Sequence, residues 1–144
     1  MIHLNFFLAG DFPTVTAQMK GVTVVNGKPR FYKKQEVKDA EDWFRAGLLP
    51  HRPKLPLDSP VRLEVEWRFP TADPKRYGTY KKTRPDTDNL EKILKDVMTE
   101  CNFWVDDARV VHEIVGKVWS DKPGVWIDVT ELNPVRLEPN GCSW

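Results

Sequence analysis

The chain has 144 residues, of which 40% are hydrophobic and 30% are charged. That is enough for one domain with its own hydrophobic core, and it leaves little room for a second domain. The 22 basic and 21 acidic side chains give a formal charge of +1, so the total charge neither requires nor excludes a polyanionic partner.

Composition and sequence pattern also argue against a zinc site, a disulfide framework, a signal peptide and a membrane span. Neither the two cysteines, Cys101 and Cys142, nor the three histidines have the spacing of a zinc site or a disulfide framework. We therefore expect a reducing, cytoplasmic setting. The opening MIHLNFFLAGD lacks the basic start of a signal peptide, and no run reaches the roughly 18 apolar residues of a membrane span.

The first part of the chain predicts a strand, a hairpin and a helix. The apolar opening is expected to form the first strand. Asn26-Gly27 lies between two runs rich in Val, Phe and Tyr, which is typical of a hairpin turn whose two positions need positive φ. Apolar side chains three and four positions apart predict the first helix over residues 33–46, with Gly47 as its stop.

A connector and a strand follow. Four prolines in the segment from Leu49 to Pro60 exclude a helix and favour an extended segment. Apolar and charged residues then alternate over the nine residues from Val61 to Phe69, which predicts a half-buried strand. Trp67 and Phe69 are expected in its core face, although they could instead contact a second subunit.

The second helix is predicted within RPDTDNLEKILKDVMTECNFWVDD, Arg84 to Asp107. Its apolar stripe consists of Leu90, Ile93, Leu94, Val97, Met98 and Cys101. Asp88, followed three residues later by Glu91, predicts a capping box at the start of a helix that begins at Asn89.

Two strands are expected at about residues 110–119 and 125–132, separated by the turn tetrapeptide DKPG. Residues 133–144 show no period and are expected to form a C-terminal arm that is partly disordered. The order β, ββ, α, β, α, ββ predicts an α+β domain over residues 1–132, with two helices packed on a mixed β-sheet.

Acidic residues near the second helix indicate a cation site. Asp86 and Asp88 are two apart, so in an extended entry to the helix their side chains leave on one side and could hold one magnesium or manganese ion. Helix capping and solvation are the alternative roles for this pair. Lys92 lies four residues after Asp88, where it could pair with that aspartate or face a phosphate.

Asp107 could complete this site. A helix from Asn89 to about Glu100 is roughly 18 Å long, and the chain from there to Asp107 spans at most roughly 25 Å. Asp107 therefore reaches Asp86 only if the chain returns along the helix, and otherwise it would serve a neighbouring subunit. An ordinary acidic turn before a strand is the alternative for Asp106-Asp107.

Two basic segments accompany these acids. KRYGTYKKTR is expected to be a mobile loop, and its basic residues are Lys75, Arg76, Lys81, Lys82 and Arg84. The basic residues of KPRFYKK are Lys28, Arg30, Lys33 and Lys34. Either segment could be an ordinary solvated surface, but a basic loop leading into a cation site suits phosphodiester chemistry.

These residues resemble the RusA-type Holliday junction resolvases, endonucleases of phage and prophage origin. The resemblance is carried by D-x-D-N-L-x-K, here Asp86 to Lys92, and by F-W-x-D-D-A-x-V-V, here Phe103 to Val111. It implies a RusA-like fold and a metal-dependent endodeoxyribonuclease that resolves four-way junctions in DNA recombination and repair. It also implies that Asp86, Asp88 and Asp107 bind Mg²⁺, which Mn²⁺ can replace, that Lys92 is essential, and that Asp106 is supportive.

The resemblance further implies a homodimer on branched DNA that makes paired symmetric cuts, with phosphate contacts from the two basic segments. Pro85 departs from the family, which often has a basic residue there, so Arg84 is expected to take over that contact. A non-catalytic branched-DNA-binding protein on the same fold is the alternative. A protein-interaction module is a third possibility, and salt-insensitive binding would favour it.

Overall fold

A computed structural model describes residues 1–15, 20–133, 137–138 and 141–142 of the chain. The helices are α1, Gln35–Leu48, and α2, Thr87–Glu100. The strands β1 to β8 are, in chain order, His3–Ala9, Lys20–Val25, Lys28–Lys33, Val61–Pro70, Val110–Ser120, Gly124–Glu131, Leu137–Glu138 and Gly141–Cys142. The order of elements as far as β6 is the predicted one, and the α+β class is confirmed.

Four strands form one mixed sheet in the order β1, β6, β4, β5. β6 is antiparallel to β1 and to β4, whereas β4 and β5 run parallel. Parallel neighbours need a crossover connection, and α2 lies in the crossover between β4 and β5. β5 and β6 therefore lie on opposite sides of β4, and the DKPG segment crosses the end of β4 instead of closing a hairpin.

β2 and β3 form a separate two-stranded sheet. Asn26 and Gly27 at its turn have φ angles of 52° and 75°. This confirms the predicted hairpin, whose turn needs positive φ at both positions. At the end of β3, Lys33 Nζ lies 2.9 Å from a carboxylate oxygen of Glu41, so an ion pair ties the hairpin to α1.

The hydrophobic core lies between the four-stranded sheet and the two helices. The whole predicted stripe of α2 is buried, as are Val37, Ala40 and Phe44 of α1. The core face of β4 consists of Leu63, Val65, Trp67 and Phe69, all of which are buried. Trp67 and Phe69 are therefore core residues, and the alternative that they contact a second subunit is not supported.

The end of α1 differs from the prediction. The helix continues through Gly47 to Leu48 and passes into a 3-10 turn at Leu49–His51, inside the connector that was expected to contain no helix. A Cβ atom at Gly47 would lie 3.1 Å from Leu8 Cδ2, tighter than ordinary van der Waals contact. Gly47 therefore permits close packing of α1 on β1, and the prediction that it stops the helix is wrong.

Beyond the core, the structure describes little of the predicted arm at 133–144. β7 and β8 pair in antiparallel fashion, while residues 134–136, 139–140 and 143–144 lie outside the described residues. Within the described part of the chain, no helix has both the length and the apolar character that a membrane span requires.

Leu94→Ala should test the packing of α2. Leu94 is fully buried, so the variant should lose about 3 kcal/mol of unfolding free energy through the cavity it leaves. Urea denaturation followed by tryptophan fluorescence measures this loss. Val111→Ala, at an exposed position of β5, should change stability by less than about 0.5 kcal/mol. Equal losses in both variants would contradict the described packing.

Candidate active site

The helix-facing side of the sheet changes from apolar to charged at its edge strand. Side chains on this side of β5 include Glu113, Val115 and Lys117, which pair in register with Leu63, Val65 and Trp67 of β4. Because β5 is an edge strand, its charged groups can reach solvent while lying beside the core. The core therefore has a polar border on the side where α2 faces β5.

A cavity of about 500 Å³ lies along this border. Its polar lining comes from α2, through Asp88, Glu91, Lys92, Lys95 and Asp96, and from the opposite side, through Asp107 and Glu113. Three of the residues predicted to be catalytic, Asp88, Lys92 and Asp107, therefore share one cavity. The volume is in the range of pockets that bind small ligands, so a phosphodiester group and a cation can be accommodated.

The start of α2 differs from the prediction. The helix begins at Thr87, and Asp86 precedes it without a side-chain capping bond. Asp88 thus lies inside the first turn, where the helix dipole favours a negative charge. Glu91 Oε1 accepts a hydrogen bond from Trp67 Nε1 at 2.8 Å. The predicted capping box is wrong, because the buried indole N–H needs an acceptor and Glu91 provides it.

Asp86 and Asp88 do not face the same cavity. Thr87 is already helical, so the two aspartates are not alternate residues of an extended segment, and the predicted common direction is wrong. Asp86 lines a neighbouring cavity together with Arg84 and Asn89. Among the described residues, no three His, Cys, Asp or Glu side chains converge as the ligands of one metal ion.

Asp107 reaches the cavity because the chain turns back after α2. Phe103 and Trp104 are buried, and Trp104 Nε1 donates to Thr99 Oγ1 at 2.8 Å. The backbone N–H of Leu57 donates to Phe103 O at 3.0 Å, and that of Val105 donates to Leu57 O at 2.9 Å. These contacts fix the return segment, and Asp107 ends on a cavity of its own chain.

A 3-10 turn, Asp107–Arg109, presents this carboxylate. Asp106 caps the turn by accepting a hydrogen bond from the Ala108 N–H at 2.7 Å. An Arg109 guanidinium nitrogen lies 2.8 Å from Asp58 Oδ1, which anchors the turn to the connector between α1 and β4. Asp106 is therefore engaged in supporting the turn, while Asp107 faces the cavity.

Glu91 is a buried acid in the cavity wall, with only 3% of its surface exposed. The pKa of Glu91 is raised to about 8, mainly by burial and also by Glu113, although the Trp67 hydrogen bond and Lys95 act to lower it. The Oε2 atom of Glu91 is buried and has no hydrogen-bond partner among the described residues, so a negative charge there would be uncompensated. Together with the raised pKa, this favours a neutral Glu91 at pH 7.

With Glu91 neutral, the four remaining carboxylates and two lysines of the cavity carry a formal charge of −2. Lys92 Nζ lies 3.7 Å from Asp96 Oδ2, and not against Asp88 as one alternative predicted, while Lys95 Nζ lies 3.0 Å from Glu113 Oε2. Asp88 and Asp107 take no part in these two pairs. Such oxygen ligands with a net charge of −2 suit a hard divalent cation.

The basic loop before α2 is held against β5. The N–H of Gly78 donates to Trp119 O at 3.0 Å, and the N–H of Lys81 donates to Lys117 O at 2.8 Å. The Lys81 ammonium lies 4.6 Å from the ring centroid of Trp119. Burial, followed by the charge of Lys117, lowers the pKa of Lys81. The prediction of a mobile loop is therefore not supported.

The predicted DNA contacts differ in how available their charges are. Arg76 lies 5.8 Å from the Trp119 ring centroid and 3.9 Å from Asp73, and Lys33 is paired with Glu41. The Lys81 ammonium packs on the rings of Trp119 and Phe69. The predicted contacts with exposed side chains, and with no such partner in the described part of the chain, are Arg30, Lys34, Lys75, Lys82 and Arg84.

Sequence reasoning missed Glu113 and Lys117, and it gave Glu91 a capping role. Alternation along β5 places Glu113, Val115 and Lys117 on one face, and that signal is present in the sequence. The elements that those side chains meet are set by tertiary packing. A cavity lined by carboxylates and a lysine beside a basic loop is typical of metal-assisted phosphoryl-transfer enzymes.

Comparison with known proteins identifies the family. Residues 11–130 match the family described as Endodeoxyribonuclease RusA. The chain is 33% identical over 128 residues to the "Crossover junction endodeoxyribonuclease rusA" of Lactococcus phage r1t, covering 88% of this chain and 95% of that protein. It is 26% identical over 143 residues to "Uncharacterized protein YqaN" of Bacillus subtilis (strain 168), covering 90% and 97%.

A shorter match covers 77 residues of the "Crossover junction endodeoxyribonuclease RusA" of Escherichia coli (strain K12), at 34% identity. It spans 53% of this chain and 56% of that protein. The family match and the phage relative both extend over most of the chain. The chain therefore belongs to the RusA family of endodeoxyribonucleases.

Glu91→Gln should remove a pH dependence of stability. The folded protein keeps a proton on Glu91 up to about pH 8, whereas the unfolded chain releases it near the ordinary value of 4.5. The free energy of unfolding of the wild type should therefore fall, relative to the variant, as pH rises between these values, by up to about 1.4 kcal/mol per pH unit. Urea denaturation at several pH values measures this difference.

Glu64→Gln is the matched control, because Glu64 lies on the opposite face of β4 and is partly exposed. Its stability should follow the wild type across the pH range. If Glu91→Gln also runs parallel to the wild type, Glu91 is not held neutral in the folded protein.

Proposed function

We propose that this protein is a magnesium-dependent endonuclease that resolves four-way DNA junctions by hydrolysing phosphodiester bonds. Membership of the RusA family supports this, as does the printed name of the phage relative, a crossover junction endodeoxyribonuclease. The observation that carries the proposal is that Asp88, Lys92 and Asp107 of one chain line one cavity. A basic loop, which supplies the complementary charge for a DNA backbone, leads directly into it.

The carboxylates of the cavity fit a magnesium ion. Mg²⁺ is commonly held by one or two carboxylates together with water and substrate phosphate, and Asp88 and Asp107 would provide the two. The family resemblance also implies Asp86 as a ligand, but Asp86 lines the neighbouring cavity, so it would have to turn toward Asp88 to reach the same ion. Mn²⁺ could replace Mg²⁺. When bound, such an ion neutralises phosphate charge and makes water a better nucleophile at neutral pH.

Other side chains would prepare the cavity for a phosphate. The exposed ammonium of Lys92 can stabilise negative charge that develops on the phosphate or on the leaving oxygen. The neutral state of Glu91 limits the repulsion that a phosphate would meet in an acidic cavity. Arg84 shares a cavity with Asp86, which supports the expectation that it replaces the basic residue missing at Pro85.

The symmetry of the substrate points to a homodimer. A four-way junction must be cut in two strands, and a C2 dimer presents two equivalent sites for paired, symmetric cuts. Such cuts would serve DNA recombination and repair. The alternative is a branched-DNA-binding protein that does not cut, in which the same acids are structural.

Asp107→Asn should separate the enzyme from the alternative. The variant should bind a labelled four-way junction within about twofold of the wild type, while cleavage in magnesium falls by at least about 100-fold, because a cation ligand is lost. Gel-shift and cleavage assays on one substrate measure both. Asp121→Asn, at an exposed position of the DKPG segment, is the matched control and should cut normally. Unchanged cleavage in Asp107→Asn would contradict the proposed site.

Lys82→Ala and Arg84→Ala should weaken junction binding in a salt-dependent manner. Each phosphate contact removed should lower the magnitude of the slope of log K against log salt by about 0.9. Fluorescence anisotropy at several salt concentrations, without metal, gives the slope. Lys38→Ala, at an exposed position of α1, should keep the wild-type slope. If Lys82→Ala and Arg84→Ala both keep the wild-type slope, the DNA contacts lie elsewhere.

A further inference from the structure

The side chain of Lys117 joins β5 to the segment that enters α2. Its Nζ donates hydrogen bonds to the backbone carbonyl oxygens of Thr83 and Pro85, both at 2.7 Å. Hydrogen bonds from a charged donor are stronger than those from a neutral one. These carbonyls lie just before Asp86, whose own carbonyl accepts the Leu90 N–H at 3.3 Å in the first turn of the helix.

The location of Lys117 links two parts of the proposed site. Val115, two residues earlier on β5, lines the cavity that contains Asp88. The Lys117 ammonium therefore ties the chain entering α2 to the strand that forms the opposite wall of the cavity. The backbone carbonyl of Lys117 separately accepts the Lys81 N–H, so a substitution of the side chain leaves this backbone contact of the loop in place.

We propose that Lys117 is a positioning residue for the cation site, because its ammonium fixes the chain at residues 83–85 and thereby the start of α2, whose first turn carries Asp88. The inference rests on the proposed function, since it requires a cation at these carboxylates. This proposal and simple electrostatics predict opposite changes in cation affinity when Lys117 is replaced. Loss of a nearby positive charge alone would strengthen cation binding, whereas loss of a positioning contact weakens it.

Calorimetric titration of the DNA-free protein with Mn²⁺ tests this without relying on activity. Lys117→Met should bind Mn²⁺ about tenfold more weakly than the wild type, as is typical when the support of a metal ligand is removed. Lys117→Arg should recover most of the affinity, since a guanidinium also offers N–H donors to two carbonyls. Lys122→Met, at an exposed position of the DKPG segment, should match the wild type.

A double-mutant cycle shows whether Lys117 acts through Asp88. In an Asp88→Asn background, Lys117→Met should cause no further loss of Mn²⁺ affinity. Either of two results would overturn this inference without affecting the proposed function. One is a tenfold loss that persists in that background, and the other is a Mn²⁺ affinity of Lys117→Met that equals or exceeds that of the wild type. Absence of Mn²⁺ binding in the folded wild type would overturn the proposed metal site and this inference together. If Lys117→Met does not fold, Lys117→Gln replaces it in both comparisons.

Discussion

The burial of α2 against the sheet is the constraint on which the proposed site depends. Because β4 and β5 are parallel neighbours, the chain must cross the sheet between them, and α2 makes this crossing with its apolar stripe against the core. Beside this apolar stripe, the charged residues of α2 face the charged side chains of β5. The cavity is the space that remains where the apolar interface ends.

The core and the cavity are connected through one hydrogen bond. Trp67 is fully buried in β4, and its indole N–H is satisfied by Glu91, whose side chain also lines the cavity. A carboxyl in this position experiences both the low dielectric of the core and the charges of Glu113 and Lys95. Packing on the core side therefore influences the protonation of a group in the cavity wall.

Local periodicity in the sequence predicted most of the fold. The apolar stripe of α2 and the alternation along β4 are strong sequence signals because each element buries one complete face. Asn26-Gly27 specifies its turn by backbone geometry. Gly47 was misinterpreted because the atom that it accommodates, Leu8 Cδ2, belongs to a strand nearly 40 residues away in sequence. Close packing between distant parts of the chain leaves no signal in the sequence around Gly47.

The candidate site was only partly predictable for the same reason. The spacing of Asp88, Lys92 and Asp107 suggested a shared site, and the structure places them around one cavity. The divergence of Asp86 from Asp88 depends on where the helix begins, and this boundary is poorly determined by sequence. The contacts of Leu57 and Asp58 that hold the return segment, and those of Lys117, join residues far apart in the chain and become visible only in three dimensions.

The anomalous scattering of Mn²⁺ in crystals of the wild-type protein would show whether and where a cation binds. The proposed site requires a peak in the cavity between α2 and β5, with Asp88 and Asp107 of the same chain as ligands. A peak completed by Asp107 of a neighbouring subunit, a peak outside this cavity, or no peak at a Mn²⁺ concentration that supports junction cleavage would contradict it.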